Sequence, residues 1–436
     1  MTTATPALGA RASPASAGLA DAAVFAAAVF MLLTYSQGWV FPLTGRSGAS
    51  ADSILIRAMF LPAYAAGVLL LALGPWRAVR GLVRQPFLMA LMLIAALSLF
   101  WSAAPDQTAR RVFALVFTTL GGVVLATRFS WASLAEAVGA AFALLALVSL
   151  LVAVFVPSLG RMENIFPGSW RGVWSEKNTF GGLMALGAIV CAAAAQLNPP
   201  RAGRWWSAAG LSVVLVLASS SKTALVSLVL GAVAFSLVWA VRRGPVAAVA
   251  ATWLAVVAAA ALGALVFLAS DTLVEWLGKD ATLTGRTRIW AAVLRQIGRR
   301  PWRGFGYGAV WDETGHWGPL AWITKDAGFR PDHSHNSWLE QWLMMGVPGL
   351  AAWAGLHLQT LAANVVGLYR HKGAYLALPF FVVYTLMTLT ESIAVVYNDL
   401  RWVIFVAFAV KLALPQDGPS SSPSAAPKPA GIRQRR

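Results

Sequence analysis

Charge is what this chain has least of. Only 12% of its 436 residues are Asp, Glu, Lys or Arg, about half the share of an ordinary soluble protein, while 58% are hydrophobic. Too few charged side chains remain to clothe a soluble surface. Cysteine is nearly missing: Cys191 stands alone inside an apolar run, so no intramolecular disulfide can form. Carboxylates are scarce, 17 against 34 Lys and Arg, which leaves a formal net charge of +17. No GxxxxGK[ST] stretch occurs, which excludes a Walker-type nucleotide loop. No internal repeat stands out.

What the chain does contain is a series of apolar runs of membrane-spanning length. About twelve can be drawn, at 19–41, 53–74, 85–101, 111–127, 132–156, 179–197, 206–220, 223–241, 246–270, 336–368, 374–393 and 400–414. The fold class is therefore an all-α polytopic membrane protein. The first run is too long and unbroken for a signal-peptide core and only Arg11 precedes it as a basic residue, so it reads as a retained helix. Residues 1–18 and 415–436, rich in Ala, Ser, Pro and Gly, are expected to be disordered cytoplasmic tails around one transmembrane domain, 19–414.

Short loops set the expected orientation. Arg77, Arg80 and Arg84 share one connection, Arg201 and Arg204 another, Arg242 and Arg243 a third, Arg370 and Lys372 a fourth. With about twelve spans and a cytoplasmic N-terminus all of these fall inside, as the positive-inside rule asks. Residues 271–335 then form one long extracytoplasmic loop between the ninth and tenth spans, and 157–178 a smaller one on the same side.

Basic residues also gather in the outer loops. Residues 279–303 hold Lys279, Arg286, Arg288, Arg295, Arg299, Arg300 and Arg303 against Asp280 alone. Ile289, Trp290, Val293, Leu294 and Ile297 give this stretch an apolar helical face, which suits a helix lying on anionic headgroups. The same cations equally suit a cavity for a phosphate or pyrophosphate. The turn Gly304-Phe305-Gly306-Tyr307-Gly308 follows no strand, so a dinucleotide fingerprint is rejected. In "SWRGVWSEKNTFGG" Arg171, Glu176, Lys177 and Asn178 stand at a span entrance, where helix N–H groups favour an anion, although Asn178 or Ser175 as a plain cap is an equal reading.

Four stretches together, "RGVWSEKN", "SSSKTAL", "TGRTRIW…P…GFGYG" and "HSHNSWLE", resemble the O-antigen ligase and exopolysaccharide polymerase family in order and near spacing, over about 160 to 412. "RGVWSEKN" looks more like the polymerase branch than the lipid A ligase branch. The resemblance implies a GT-C-like membrane glycosyltransferase. It would act at the outer face of the bacterial cytoplasmic membrane on a glycan linked to undecaprenyl diphosphate, without a metal or other cofactor. Expected partners are that donor, a glycan or lipid A-core acceptor, the bilayer and other polysaccharide export proteins, but no nucleic acid. Where the family usually carries arginine in the element matching "SSSKTAL", this chain has Lys222, which keeps the charge but loses bidentate phosphate contact.

The residue chemistry suits such a reaction. A pyrophosphate leaves as an anion and needs fixed positive charge, for which Arg286, Arg288, Arg171, Lys177 and Lys222 are the candidates. A sugar hydroxyl must lose a proton, for which a histidine is a fitting base. His335, directly before Asn336 and the tenth span, is the expected general base, as the matching family position implies. His333 either orients the acceptor or is a solvated loop residue. Asn178, Asn336 and Glu340 are expected to support the site, Glu340 by pairing with an arginine or by holding the site open. His316, His357 and His371 read as structural or surface residues, and Glu391, Asp399 and Arg401 as a structural ion-pair set first and a wall of the site second. An HxH pair without further ligands at metal spacing is a weak metal signal, so no metal is expected. Two other classes compete. A transporter should show broken spans with a midplane charged site, whereas the polar residues here gather in outer loops. A non-catalytic scaffold would bind lipid or glycan without making a bond.

Overall fold

A computed structural model describes residues 14–45, 53–164, 166–268, 285–311 and 317–415. The expected tails lie outside the described residues, except where the first helix begins at Pro14 and the last turn ends at Pro415; so do His316 and the first part of the long loop, with Lys279 and Asp280.

Among the described residues the chain is helical, with only an isolated bridge between Arg161 and Trp170. We label α1 Pro14–Tyr35, α2 Ile54–Met59, α3 Leu61–Ala72, α4 Pro75–Val83, α5 Pro86–Leu97, α6 Pro105–Arg128, α7 Trp131–Phe155 and α8 Lys177–Leu197. There follow α9 Ala202–Ala218, α10 Lys222–Val241, α11 Pro245–Leu268, α12 Arg286–Arg299, α13 Pro319–Ala327, α14 Ser337–Arg370, α15 Ala374–Thr390 and α16 Leu400–Ala413. Proline opens α4, α5, α6, α11 and α13, where its missing N–H costs nothing.

Among the described residues, six helical stretches are long and apolar enough to cross a membrane: Gly18–Tyr35, Ile54–Ala72, Pro105–Arg128, Trp131–Phe155, Lys177–Leu197 and Lys222–Val241. The pair Pro75–Val83 and Pro86–Trp101, bent by 92°, would make a seventh. Of the other expected spans, 246–270 falls on α11, 206–220, 374–393 and 400–414 fall on the shorter α9, α15 and α16, and 336–368 falls on α14, which is broken at Gly346. One connection expected to be a loop is instead helical: α4 carries Arg77 and Arg80 on a short amphipathic turn that precedes the bend. α8 is the central element, buried along most of its length and packed on α7, α9, α10 and α15. Gly122 lets α6 close on α16, where an added Cβ would lie 2.6 Å from the Val403 carbonyl oxygen.

Connections gather at two ends of the bundle. At one end Ala103 N–H donates to Phe305 O (2.8 Å), the Tyr307 hydroxyl to Val395 O (2.7 Å) and Trp170 N–H to Ala218 O (3.1 Å). At the other, Arg84 donates to Ala413 O (3.0 Å), Gln359 to Arg84 O (2.8 Å) and Asn198 to Ala132 O (3.1 Å). Arg77, Arg80, Arg84, Arg128 and Lys411 border one cavity at this second end, where Arg201 and Arg204 also pair with Glu136.

Residues 285–311 and 317–335 fold over the first end on their own small core. Ile289, Val293 and Ile297 of α12 meet Leu320 and Ile323 of α13 and Leu343 of α14. Leu294, expected on that apolar face, points outward at 46% exposure, so the buried stripe is narrower than the sequence pattern suggests. The glycine-rich turn has a structural task. α14 breaks at Gly346 (φ 68°), and Pro348 just beyond lacks an N–H, so carbonyls on the preceding turn lose their helical donors. Phe305 N–H then reaches Leu343 O (3.0 Å) and Gly306 N–H reaches Met344 O (2.9 Å), while Val347 N–H reaches Pro301 O (2.9 Å). A Cβ on Gly346 would stand 2.2 Å from the Trp302 carbonyl oxygen.

Candidate active site at the histidine pair

α14 starts where it does because Asn336 caps it: its side-chain oxygen accepts from Trp338 N–H (2.9 Å) and Leu339 N–H (3.1 Å). The residue before the cap, His335, has φ 51°, a left-handed conformation that non-glycine residues seldom adopt and that clusters at functional positions. This turn folds the two imidazoles together, with ring centroids 3.9 Å apart, and His335 N–H donates to His333 Nδ1 (3.1 Å).

His335 Nδ1 lies 3.0 Å from Glu391 Oε2, and the other carboxylate oxygen of Glu391 accepts from Arg286 at 2.8 Å. Burial pushes the Glu391 carboxyl up, but the His335 hydrogen bond, together with the nearby Arg286 guanidinium, outweighs it, so its pKa falls below the usual range. A carboxylate can only accept, so Nδ1 of His335 carries a proton; in the neutral ring that leaves Nε2 as the acceptor. Burial pushes His333 down to about 3, helped by His335, Arg286 and Arg401 and opposed by Glu391, so its ring is neutral. Glu391 is held in turn by the start of α14: Ser337 Oγ donates to Glu391 O (2.7 Å) and accepts from Ile393 N–H (2.9 Å) and Ala394 N–H (3.1 Å).

Among the described residues Glu340 pairs with no arginine. It is buried and accepts from Ser334 N–H (3.1 Å), Ser334 Oγ (2.6 Å), Ser392 Oγ (3.0 Å) and the Trp311 indole. It ties the HSH turn to the 391–399 connection. The set of Glu391, Asp399 and Arg401 divides: Asp399 caps α16 and pairs with Arg401, whereas Glu391 serves His335 and Arg286. His357 packs among Trp338, Trp353 and Phe381, and His371 stacks on Trp131.

Of the expected cations, Arg286 alone is seen bonded to this triad. Arg288 is exposed. Arg171 donates to the carbonyls of Leu159 (2.9 Å) and Ser158 (2.9 Å) and lies over the Phe41 ring, so its guanidinium braces the 157–176 connection. Lys177 reaches Ser220 O (3.3 Å), within electrostatic reach of Lys222, and Asn178 accepts from Ser221 Oγ (2.8 Å), which joins "RGVWSEKN" to "SSSKTAL". Glu176, at the head of α8, faces the triad: burial and Glu391 raise its pKa, and Asp332 adds to this while His335 and Arg286 oppose it.

A cavity of about 310 Å³ opens beside the pair, bordered by His333, Glu340, Asp332, Ser392, Arg57 and Arg111, and by none of the five expected cations. Sequence reasoning passed over Arg57 and Arg111, and offered Glu391 as part of the site only as a second reading. Their signal was present as charges at the ends of apolar runs. His333, His335 and Glu391 could also offer three metal-ligand atoms within 4.8 Å of one another. In the structure Nδ1 of both histidines and both Glu391 oxygens are already hydrogen-bonded.

Comparison with known proteins agrees with the motifs. Residues 207–354, which include Lys222, Arg286, His333, His335 and Glu340, match the family model described as O-antigen ligase. The exopolysaccharide production protein ExoQ of Rhizobium meliloti (strain 1021) is 27% identical over 278 residues. These matches support an O-antigen ligase and ExoQ-like family for the chain. The ExoQ match spans 61% of this chain and 61% of that protein, so the two are not matched end to end. Glu176 and Glu391 lie outside the family-model match.

Proposed function

We propose that this protein is a polysaccharide-building glycosyltransferase of the bacterial inner membrane. It moves a glycan from undecaprenyl diphosphate onto a sugar hydroxyl at the periplasmic face, extending a surface or exopolysaccharide chain. The observation that carries the reading is the chain Arg286–Glu391–His335, with Nε2 of His335 left as acceptor. In the reaction the acceptor oxygen attacks the anomeric carbon, its proton passes to His335 Nε2, and the bond from that carbon to the diphosphate oxygen breaks. One displacement inverts the anomeric centre. The diphosphate leaves as an anion, stabilised by Arg286 with Arg288, Lys177 and Lys222 as further candidates. Guanidinium and ammonium groups supply the charge that a cation supplies in other transferases, so we read the reaction as metal-independent. Glu391 fixes the ring and its tautomer, His333 and Glu340 position the turn, and Asn336 and Asn178 hold the helix heads.

The description O-antigen ligase favours a second reading, transfer of the glycan to a lipid A-core acceptor. The test common to both is His335→Gln in the producing cell. Lipid-linked donor should accumulate, and polymer or ligated product should vanish at normal protein level. Unchanged product would remove His335 as the base. Both termini are read as cytoplasmic, so a reporter fused after Ala327 should be active outside the cytoplasm and one after Gly373 inside.

A further inference from the structure

At the end of the bundle away from the histidine pair, α4 turns from α5 by 92° and carries two outer stripes. Arg77, Arg80 and Arg84 recur at helical spacing along one flank, and Trp76, Val79 and Val83 along the next. The apolar stripe is open, with Trp76 at 73% and Val83 at 66% exposure. The remaining face packs inward through Ala78 and Gly81, where an added Cβ would stand 2.8 Å from Val410 of α16. The basic stripe borders a cavity of about 510 Å³, which Arg128 at the end of α6, Lys411 of α16 and Ser130, the cap of α7, also line. No carboxylate is among the described residues that line it. Lys411 is held by the carbonyls of Ala126 and Phe129, and one arm of Arg128 by Leu73 O (3.0 Å), yet the buried Nε of Arg128 has no hydrogen-bond partner among the described residues. Arg77 and Arg80 are exposed and form no ion pair among the described residues.

We infer that this cavity seats the phosphate headgroup of an anionic phospholipid, whose acyl chains lie along the apolar stripe of α4. Like charges that share a cavity repel one another, and an anion among them removes that cost. A phosphate offers several acceptor oxygens, one of which satisfies the orphaned Nε of Arg128. The adjoining apolar stripe sets the source of the phosphate. A short helix with Trp and Val on one flank and arginines on the next lies in a membrane interface, apolar side toward hydrocarbon and basic side toward headgroups. A soluble phosphate would leave Trp76, Val79 and Val83 uncovered. On the proposed orientation the site faces the cytoplasmic leaflet. It takes no part in the proposed transfer reaction.

The test uses the full-length protein in neutral detergent, a photoreactive side chain at Val83, and phosphatidylglycerol and phosphatidylcholine as probes. Val83 should capture phosphatidylglycerol in preference to phosphatidylcholine, and added salt should weaken the capture. Arg77→Gln/Arg80→Gln alters two exposed side chains and should lower phosphatidylglycerol affinity on the order of tenfold or more. Arg77→Lys/Arg80→Lys keeps the charge and should hold affinity near that of the wild type, which separates lost charge from misfolding. Equal capture of the two lipids, or equal phosphatidylglycerol affinity in the wild type and the Gln variant, overturns the site. Displacement of the lipid by an equal concentration of glycerol 3-phosphate would mean that the cavity takes a soluble phosphate, and overturns the lipid assignment. Each of these failures leaves the proposed function standing.

Discussion

Replacing Glu391 by Gln probes the link on which the chemistry depends. Glutamine keeps the length and one acceptor but removes the anion that meets His335 Nδ1 at 3.0 Å and Arg286 at 2.8 Å. Without a carboxylate the ring is free to take the other tautomer, with its proton on Nε2, and cannot then accept from a sugar hydroxyl. General-base catalysis is worth about 10²–10⁴ in rate, which is about 2.7–5.4 kcal/mol of barrier. Glu391 touches His335 and not the substrate, so the loss should fall on kcat with KM little changed. The fold should survive, because Ser337 is held by the backbone of residue 391 and not by its carboxylate. The assay is chain extension from a defined lipid-linked oligosaccharide by purified protein, with the melting temperature measured in parallel. Glu391→Asp, one methylene shorter, cannot span both partners and should rescue only part of the rate. If Glu391→Gln turns over within twofold of the wild type, the carboxylate does not set the tautomer and the base assignment loses its support.

Arg286→Lys should cut turnover about tenfold or more, since a point charge cannot replace a planar fork held to Glu391; a wild-type rate in the extension assay would refute this. His333→Ala should be milder than His335→Gln in the same assay, because positioning is easier to replace than proton transfer, and the reverse ranking would exchange their roles. The fold should lose stability as pH drops from 7 toward 3: the unfolded chain protonates His333 below about 6.5, whereas in the fold burial holds it to about 3. The thermal midpoint should follow that fall, and His333→Gln should flatten it; a flat wild-type curve would contradict the assignment. Gly346→Ala should destabilise by more than about 2 kcal/mol, because the left-handed backbone and the Trp302 carbonyl both oppose a Cβ. An unchanged midpoint would mean the break in α14 relaxes.

Much of the fold was legible in the sequence because apolar runs of spanning length have few alternatives. The starts of α14, α8 and α10 lie close to the edges of the apolar runs drawn at 336, 179 and 223. The break at Gly346 was harder to see, because an unbroken apolar run hides a change of backbone direction. The meaning of the glycine-rich turn followed from that break and was therefore hidden too. Arg286 and His335 were singled out from their motifs and the resemblance these carry, and both meet one carboxylate in the fold. That carboxylate, Glu391, was only a second reading, since its partners are 105 and 56 residues away and nothing in "TESIAVVYNDL" announces them. Arg171 carried the right charge in the right loop, but backbone carbonyls of its own connection claim it.

The most direct measurement is chain length after incubating purified protein in a defined bilayer with a synthetic undecaprenyl-diphosphate oligosaccharide. The wild type should convert it to longer lipid-linked chains, or ligate it when lipid A-core is supplied, and His335→Gln should leave it unchanged. Glycan that crosses the bilayer without a new glycosidic bond, or equal product from His335→Gln, would contradict the account.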